Sequence, residues 1–562
     1  MKPFIAIAAL SLAASLAQAQ DISGDWQGAL SAGGQNLHLV LHITKAPDNS
    51  LKATIDSLDQ PGANDIPVDS VTLKDSKLTL DVAIIHATYD AKVSSDAKTI
   101  TGTWSQGGQT FPLEFKPGTP PPAKPSDIDG SWMGLLDLGT LKLHVIFNIQ
   151  TGPGGLAATL DSPDQGANGI PTSSISRDGA SLKIEIKKIV GTFEGKIATD
   201  LSSIDGTFTQ LGSAHPLVLK PVKDKEKAEL APKRPQNPMK PYPYHDEEVT
   251  YDNKAQNVTL AATLTIPQGK GPFPAVVLIT GSGPQDRDES LLGHKPFLVL
   301  SDYLTRHGIA VLRADDRGTA KSTGVFATAT TADFATDTEA GIAYLKTRKE
   351  VDLHRIGLIG HSEGAVIAPM IAARNKDVAF IVMMAGTGVP GDQVLVAQSE
   401  AIQIANGQTP PGEAAKHAAR EREMLTLVET EKDDAVLETK LKEKMTGEVP
   451  EAQMGMQIKQ ITSPWFRYFL TYDPATALRK VTCPVLVLNG SLDKQVLPSQ
   501  NLPPIRKALA ESGNQHVEVD ELPGLNHLFQ TAKTGSPAEY AQIEETISPV
   551  VLDKIATWIL KQ

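Results

Sequence analysis

Apolar and polar residues alternate along much of the first 220 positions of the chain. Every second residue from 37 to 43 is Leu or Ile, and every second residue from 141 to 149 is again apolar. A period of two is typical of strands with one buried face. Short strands of this kind, separated by Gly, Asp and Asn turns, predict small antiparallel barrels or sandwiches.

The same region contains an internal repeat. The sequence DISGDW at residues 21–26 returns as DIDGSW at 127–132, and the Asp/Gly-rich segment at 56–67 returns at 161–171. We therefore predict two tandem all-β modules, at residues 20–118 and 126–221. We interpret the tryptophan of each opening motif, Trp26 and Trp132, as a core residue. Contact of the modules with carbohydrate or an envelope polymer and a role as spacers both stay open.

The pattern changes after a charged, Pro-containing segment at residues 222–246, which we interpret as a linker. From residue 247 onward, strands alternate with amphipathic helices of 10 to 18 residues. This alternation predicts an α/β domain over residues 247–562, with a mostly parallel sheet and helices on both faces.

Residues from about 391 to 479 interrupt the alternation. They contain a charged helical stretch at 411–444 and an aromatic cluster, Trp465, Phe466, Tyr468 and Phe469. This composition predicts a helical cap that shapes substrate access, with Trp465 and Phe469 as substrate-binding residues. A solvated helical decoration is the alternative.

The N-terminus and the overall charge limit the location and the partners. An apolar stretch at residues 4–16 ends in Ala17-Gln18-Ala19. It is shorter than the ~20 residues that a spanning helix needs, so residues 1–19 are predicted to be a signal peptide of a periplasmic or secreted protein. An uncleaved anchor is the alternative. The net charge of −12 argues against nucleic acid or anionic lipid as a partner.

A candidate nucleophile lies in the pentapeptide Gly360-His361-Ser362-Glu363-Gly364. An apolar run at 356–359 precedes it and a helical run at 365–373 follows it. Such a strand–turn–helix presents the central serine as an exposed nucleophile, and its glycines allow the close approach of neighbouring backbone. Ser362 is the predicted nucleophile.

A serine nucleophile needs a base, and the base needs an orienting acid. Asp493 follows a predicted strand at 485–488, and His527 lies between a strand at 517–519 and a helix predicted at 539–560. The order Ser, Asp, His is that of α/β hydrolases. Asp493 and His527 are the predicted acid and base.

Several other residues are rivals for these roles. His361 and His294 are alternative bases, although we interpret His361 as a packing residue beneath the sheet edge. Asp315 and Asp316 are alternative acids, although we interpret residues 316–318 as a loop that forms a structural ion pair. A role of this loop in lining the site stays open.

The oxyanion of an acyl-transfer intermediate needs two N–H donors. The glycine-rich loop at residues 281–288, here called the oxyanion loop, follows a predicted strand at 275–280. Pro284 has no N–H, so the loop's donor is Ser282 or Gly283. The amide of Glu363 is the predicted second donor.

Five motifs together carry a family resemblance. They are GSGPQDRD at 281–288, DDRG at 315–318, GHSEG at 360–364, NGSLDKQV at 489–496 and LNHLFQ at 525–530. On these motifs, residues 240–562 resemble secreted bacterial serine esterases of the α/β-hydrolase superfamily. The resemblance implies hydrolysis of small-molecule carboxylic esters without a metal or an organic cofactor, and it does not extend to residues 20–220.

Three other functions stay open. A peptidase of the prolyl-oligopeptidase type shares the serine turn and the triad order, but we find no motif that would hold a peptide terminus. A thioesterase is less consistent with an exported protein. A binding or adhesion protein with a relic hydrolase domain would be expected to have an incomplete triad, whereas this one is complete.

Overall fold

The computed structural model describes residues 21–562 with short gaps. The gaps are residues 33–34, 47, 49, 61–62, 86, 107–108, 121–123, 139–141, 211, 231–232, 408, 448 and 450. The predicted signal peptide, residues 1–19, lies outside the described residues.

The N-terminal part is all-β, as predicted. Its first sheet contains β1 (Gly24–Ala32), β2 (Gln35–Lys45), β3 (Leu51–Ser57), β4 (Ile66–Val68), β5 (Ser70–Lys74), β6 (Lys77–Val82), β7 (Ala87–Val93), β8 (Ile100–Gln106) and β9 (Gln109–Pro117). The first and last strands, β1 and β9, pair with each other. β4 and β5 are the two edge strands of the hydrogen-bonded sheet. Because β3 contacts β5 and β4 contacts β6, the antiparallel sheet curls into a barrel-like form.

The second sheet repeats this topology strand for strand. It contains β10 (Gly130–Asp137), β11 (Lys142–Gly152), β12 (Gly155–Ser162), β13 (Ala167–Pro171), β14 (Ser174–Asp178), β15 (Ser181–Ile186), β16 (Gly191–Ile197), β17 (Ile204–Gln210) and β18 (Ser213–Pro221). Short 3₁₀ segments lie at Ala83–Ile85, Pro163–Gln165 and Lys187–Ile189.

The two tryptophans of the repeat are core residues, as interpreted from the sequence. Trp26 and Trp132 are each 3% exposed. Each indole N–H donates a 2.8 Å hydrogen bond to a carbonyl four residues earlier, that of Ile22 or Ile128. The polar edge of each ring is therefore satisfied while its apolar area is buried.

The C-terminal part has the predicted α/β class. Its sheet contains β19 (His245–Asn253), β20 (Val258–Ile266), β21 (Phe273–Ile279), β22 (Ala310–Ala314), β23 (Val351–His361), β24 (Phe380–Met384), β25 (Val485–Gly490) and β26 (Val517–Leu522). The spatial order is β19-β20-β22-β21-β23-β24-β25-β26. Pairing is antiparallel up to β20·β22 and parallel from β22 to β26. The loops after the parallel strands therefore meet at one edge of the sheet.

Helices precede this sheet, connect its strands and follow its last strand. They are α1 (Asp224–Leu230), α2 (Pro296–Arg306), α3 (Thr331–Leu345), α4 (Gly364–Ala372), α5 (Gly391–Ala405), α6 (Pro411–Thr430), α7 (Asp434–Met445), α8 (Glu451–Ile461), α9 (Pro464–Thr471), α10 (Ala475–Leu478), α11 (Pro498–Glu511) and α12 (Pro549–Ile559). One apolar core joins the sheet to α3, α4 and α11, and a second joins its other face to α2 and α12. Among the described residues, no helix is long and apolar enough to cross a membrane.

The segment between β24 and β25 is helical and contains α5 to α10. The charged stretch predicted at 411–444 is divided into α6 and α7. Asp433 caps α7 by accepting hydrogen bonds from the amides of Ala435 and Val436 at 3.0 Å. An apolar cluster that includes Leu425, Leu441 and Leu470 packs these helices together.

The prediction of one continuous helix over residues 539–560 is wrong. A 3₁₀ segment at Pro537–Gln542 and α12 are separate, and irregular backbone lies between them. Pro549 is the reason, because proline at the first helical position starts a helix but cannot donate to the preceding turn.

The segment interpreted as a linker is attached to the α/β part. It contains α1, and Arg234 then donates to the carbonyls of Leu292 at 2.8 Å, Ala541 at 2.7 Å and Ile543 at 3.0 Å. These charge-assisted hydrogen bonds fix the middle of the segment against the surface of the domain.

Candidate active site

The turn around Ser362 is as tight as the sequence indicates. Ser362 has a φ of 53°, and its amide donates to the carbonyl of Met384 at 2.8 Å. A Cβ on Gly360 would lie 2.0 Å from the carbonyl oxygen of Gly364, and one on Gly364 would lie 2.1 Å from that of Ile279. Only glycine fits at either position. We call residues 360–364 the nucleophile turn.

Asp493 and His527 are hydrogen-bonded at the same sheet edge. Asp493 Oδ2 lies 2.9 Å from His527 Nδ1, and Oδ1 accepts from the amides of Gln495 and Val496 at 2.8 Å each. Asp493 is 1% exposed and His527 is 4% exposed. A carboxylate that already accepts from two amides orients Nδ1 as a donor, which leaves Nε2 of His527 to act as a base.

His361 connects the nucleophile turn to the loop that carries His527. Its Nε2 lies 3.0 Å from the carbonyl oxygen of His527, and the two ring centroids are 4.9 Å apart. Because Ser362 is the next residue in the chain, this contact brings the predicted nucleophile and the predicted base to one place.

The oxyanion loop lies beside the serine. A Cβ on Gly281 would be 3.4 Å from the Cβ of Ser362. Gly283 has a φ of +96°, a conformation that favours glycine. Glu363 is the N-terminal cap of α4, so its amide N–H has no acceptor within the helix. These positions suit the predicted donors, with Ser282 and Gly283 remaining alternatives in the loop.

The side chain of Glu363 is buried between α3 and α9. Its Oε1 accepts from Thr331 Oγ1 at 2.6 Å and from Trp465 Nε1 at 2.7 Å. Burial raises the pKa of Glu363, although these two hydrogen bonds oppose the rise. The inserted helices are thereby hydrogen-bonded to the residue that follows Ser362.

The aromatic pair predicted to bind substrate lies on α9. Trp465 and Phe469 stack with ring centroids 5.4 Å apart and an interplanar angle of 5°. Phe469 also lines a small cavity together with Thr331, Glu363 and Val366. The pair is therefore adjacent to the nucleophile turn.

The hydrogen-bond partners of the rival base His294 are Thr546, Tyr540 and Gln530. It is fully buried, its Nδ1 lies 2.9 Å from Thr546 Oγ1, and its Nε2 lies 3.0 Å from the carbonyl oxygen of Tyr540. Burial lowers the pKa of His294 to about 4. The ring is a neutral structural residue at physiological pH.

Residues 316–318 form a structural ion pair through Arg317, as interpreted from the sequence. Arg317 pairs with Asp337, with Nε 2.6 Å from Oδ2, while Asp315 pairs with Arg287 at 2.8 Å. The two neighbouring acids point to different partners, because successive residues in an extended segment face opposite sides.

Asp316 faces a small cavity beside the oxyanion loop. Its oxygens accept from Thr280 Oγ1 at 2.8 Å and from the amide of Gln285 at 2.9 Å. Burial raises its pKa to about 8, although both hydrogen bonds act in the opposite direction. The cavity is also lined by Gly283 and Glu363, so the Asp316 carboxyl group lies near the predicted oxyanion donors.

Glu289 is a site residue that the sequence did not reveal. It follows the oxyanion loop directly, is 5% exposed, and accepts from the Gly281 amide and from His361 Nδ1, both at 2.9 Å. No periodic pattern marks a buried carboxylate in a loop. The burial of Glu289 and its hydrogen-bond partners become visible only in the folded structure.

A metal site is not evident in the part of the chain that the structure describes. Among these residues, no group of three or more His, Cys, Asp or Glu side chains could hold a metal ion.

Comparisons with known proteins give matches in the α/β part of the chain. The model of the X-Pro dipeptidyl-peptidase (S15) family matches residues 256–514. Two solved structures are also similar. The esterase Pf2001 of Pyrococcus furiosus has 16% identity and a TM-score of 0.35, covering 57% of this chain and 93% of that one. Est1E from Butyrivibrio proteoclasticus, with ferulic acid bound, has 17% identity and a TM-score of 0.33, covering 56% and 98%.

A curated relative gives the strongest sequence match among these. Esterase EstD of Thermotoga maritima is 30% identical over 324 residues, which cover 57% of this chain and 69% of that protein. The chain therefore belongs to the α/β-hydrolase esterase family that contains EstD.

Proposed function

We propose that this protein is a serine carboxylesterase that acts through an acyl-enzyme on Ser362. The observation that carries the proposal is the buried hydrogen bond between Asp493 and His527 beside a strained serine turn. This combination is the arrangement that activates a serine hydroxyl at neutral pH.

In the first step, Ser362 Oγ attacks the ester carbonyl carbon while His527 Nε2 takes the hydroxyl proton. The carbonyl oxygen becomes an oxyanion, which accepts hydrogen bonds from the Glu363 amide and from the amide of Ser282 or Gly283. Collapse of this intermediate expels the alcohol, and His527 returns the proton to it. The acyl group then remains on Ser362.

In the second step, water attacks the acyl-enzyme by the same route. His527 takes a proton from the water, the oxyanion forms in the same place, and the carboxylic acid leaves as Ser362 recovers its proton. Asp493 accepts a hydrogen bond from His527 Nδ1–H throughout and stabilises the imidazolium that forms at each stage.

The inserted helices supply the acyl-binding side in this proposal. Trp465 and Phe469 present a stacked apolar surface next to Glu363. An apolar surface beside the nucleophile suits the hydrocarbon part of an acyl group. Export to the periplasm or to the medium, through the predicted signal peptide, completes the proposal.

A peptidase is the second candidate. The observation that favours it is the match of residues 256–514 to the X-Pro dipeptidyl-peptidase family. The same triad would cleave an amide, provided that the site also holds the substrate's N-terminal residues.

One substrate comparison separates the two functions. The full chain is assayed against p-nitrophenyl acetate and butyrate, acetylated sugars and X-Pro p-nitroanilides, with Ser362→Ala as the matched control. We expect the esters to be hydrolysed and the anilides to be turned over at least ~100-fold more slowly. Preferential cleavage of the anilides, lost in Ser362→Ala, would assign the peptidase function instead.

A further inference from the structure

His361 has an oxygen acceptor at each ring nitrogen. Nδ1 lies 2.9 Å from Glu289 Oε1, and Nε2 lies 3.0 Å from the carbonyl oxygen of His527. A neutral imidazole carries one N–H, so it can donate to only one of these oxygens and must direct a lone pair at the other. When Glu289 is an ionised carboxylate, which can only accept, both hydrogen bonds form together only if the ring is an imidazolium.

Glu289 supplies the matching negative charge. The side chains of Glu289 and His361 are 7% and 8% exposed. A buried charge is costly unless a partner of opposite sign compensates it. Burial acts to lower the pKa of His361, but the charge and hydrogen bond of Glu289, the His527 carbonyl and the charge of Asp493 together raise it.

The same carboxylate oxygen holds the oxyanion loop. Glu289 Oε1 also accepts from the Gly281 amide at 2.9 Å. The backbone of Glu289 has a φ of 53°, an uncommon conformation for a residue with a side chain, and one that persists where the surroundings fix it. The strained backbone directs the carboxylate at both donors.

Three segments of the site therefore meet at one ion pair. They are the oxyanion loop through Gly281, the nucleophile turn through His361, and the loop at residues 525–530 through the His527 carbonyl. The other groups that face His361 are the ring of His527, the ring of Phe529 at 6.4 Å between centroids, and Asp493.

We propose that Glu289 and His361 are positioning residues, which act as a carboxylate–imidazolium pair that holds these three segments against one another. The proposal rests on the proposed esterase function, because the segments carry its nucleophile, base and oxyanion donors. Neither residue touches the reacting atoms in this proposal. Both act through the geometry of Ser362, His527 and the loop amides.

The charge of His361 can be measured without any activity. In the full chain labelled with ¹⁵N-histidine, loss of a signal in His361→Gln assigns the ring, and His294, with its pKa lowered to about 4, provides a buried neutral reference. We expect both ring nitrogens of His361 to be protonated at pH 7.5. A neutral His361 at that pH in the wild type would overturn the proposal.

Glu289→Gln tests the positioning role. It removes the negative charge that compensates His361, so burial favours the neutral ring, which donates to only one of its two oxygens. A Gln amide turned to donate to Nδ1 would no longer accept from the Gly281 amide with that atom. We expect kcat for a short-chain ester to fall by about 100-fold at pH 8, the effect of a misplacement of roughly 1 Å, with little change in KM.

His294→Gln is the matched control, because it removes a buried histidine outside the site. We expect it to lower the melting temperature and to leave kcat and KM close to those of the wild type. A kcat in Glu289→Gln close to that of the wild type, or a fall in kcat that His294→Gln reproduces, would reject the positioning role. If the wild type hydrolyses no ester, the proposed function fails instead, while the ring-nitrogen signals still decide the charge of the pair.

Discussion

At the scale of single residues, neighbouring aromatic side chains on α9 have different surroundings. Phe469 lines the cavity next to Glu363 and stacks on Trp465. Phe466, three residues earlier, packs into the apolar core of the inserted helices. Side chains three apart on a helix lie on adjacent parts of its surface, so small shifts in position separate a site residue from a core residue.

Phe469→Ala is expected to change acyl-chain preference. If Phe469 contacts the acyl group, the ratio of kcat/KM for acetyl and longer esters should change by about 1 to 3 kcal/mol, the range that one methylene supplies. Phe466→Ala is the matched control and should lower the melting temperature without altering the ratio. Steady-state kinetics on a series of p-nitrophenyl esters gives the ratio, and a constant ratio in Phe469→Ala would place the acyl group elsewhere.

The sequence predicted Asp493 and His527 as a pair because each follows a recognisable strand and the chain order is informative, and the two side chains are hydrogen-bonded. The sequence did not predict the contact of Glu289 with His361, because the two residues lie in segments far apart in the chain. The same limit applies to Arg317, whose partner Asp337 lies on α3. Contacts between loops depend on tertiary packing, which no local pattern encodes.

At the scale of elements, hydrophobic periodicity located most strands and helices of the α/β part. It missed β24, a five-residue apolar run that turn residues flank on both sides, and it joined the 3₁₀ segment at Pro537–Gln542 to α12. In the second case the apolar residues were evident and the boundary was not. Proline and capping residues such as Asp433 set those boundaries, so they deserve as much weight as periodicity.

At the scale of the whole molecule, the segment before β19 connects the all-β part to the α/β part and also binds to the latter. In addition to the bonds from Arg234, Gln236 Oε1 accepts from the amides of Thr546 and Ile547, and its Nε2 donates to the Ile547 carbonyl. The stable unit that contains the site therefore begins before residue 240.

Two truncated chains test this boundary. We expect residues 233–562 to fold and to hydrolyse esters, and residues 240–562 to unfold at a lower temperature. Each hydrogen bond from a charged group contributes about 1.5 to 3 kcal/mol, so several lost bonds should lower the melting temperature by at least a few degrees.

Arg234→Ala in the longer chain is the control for this comparison. It should reproduce much of the loss of stability and leave the hydrolysis rate unchanged. A longer chain that is soluble and monodisperse but inactive would show that the β modules help to form the site.

The most direct test of the proposed chemistry is the rate of hydrolysis of a short-chain p-nitrophenyl ester by His527→Ala in the full chain. His294→Ala, which removes a buried histidine outside the site, serves as the control. Because triad members act as a unit, we expect kcat to fall by about 10⁴-fold or more in His527→Ala and to stay near that of the wild type in His294→Ala. A rate close to that of the wild type in His527→Ala would contradict the assignment of the base and, with it, the proposed mechanism.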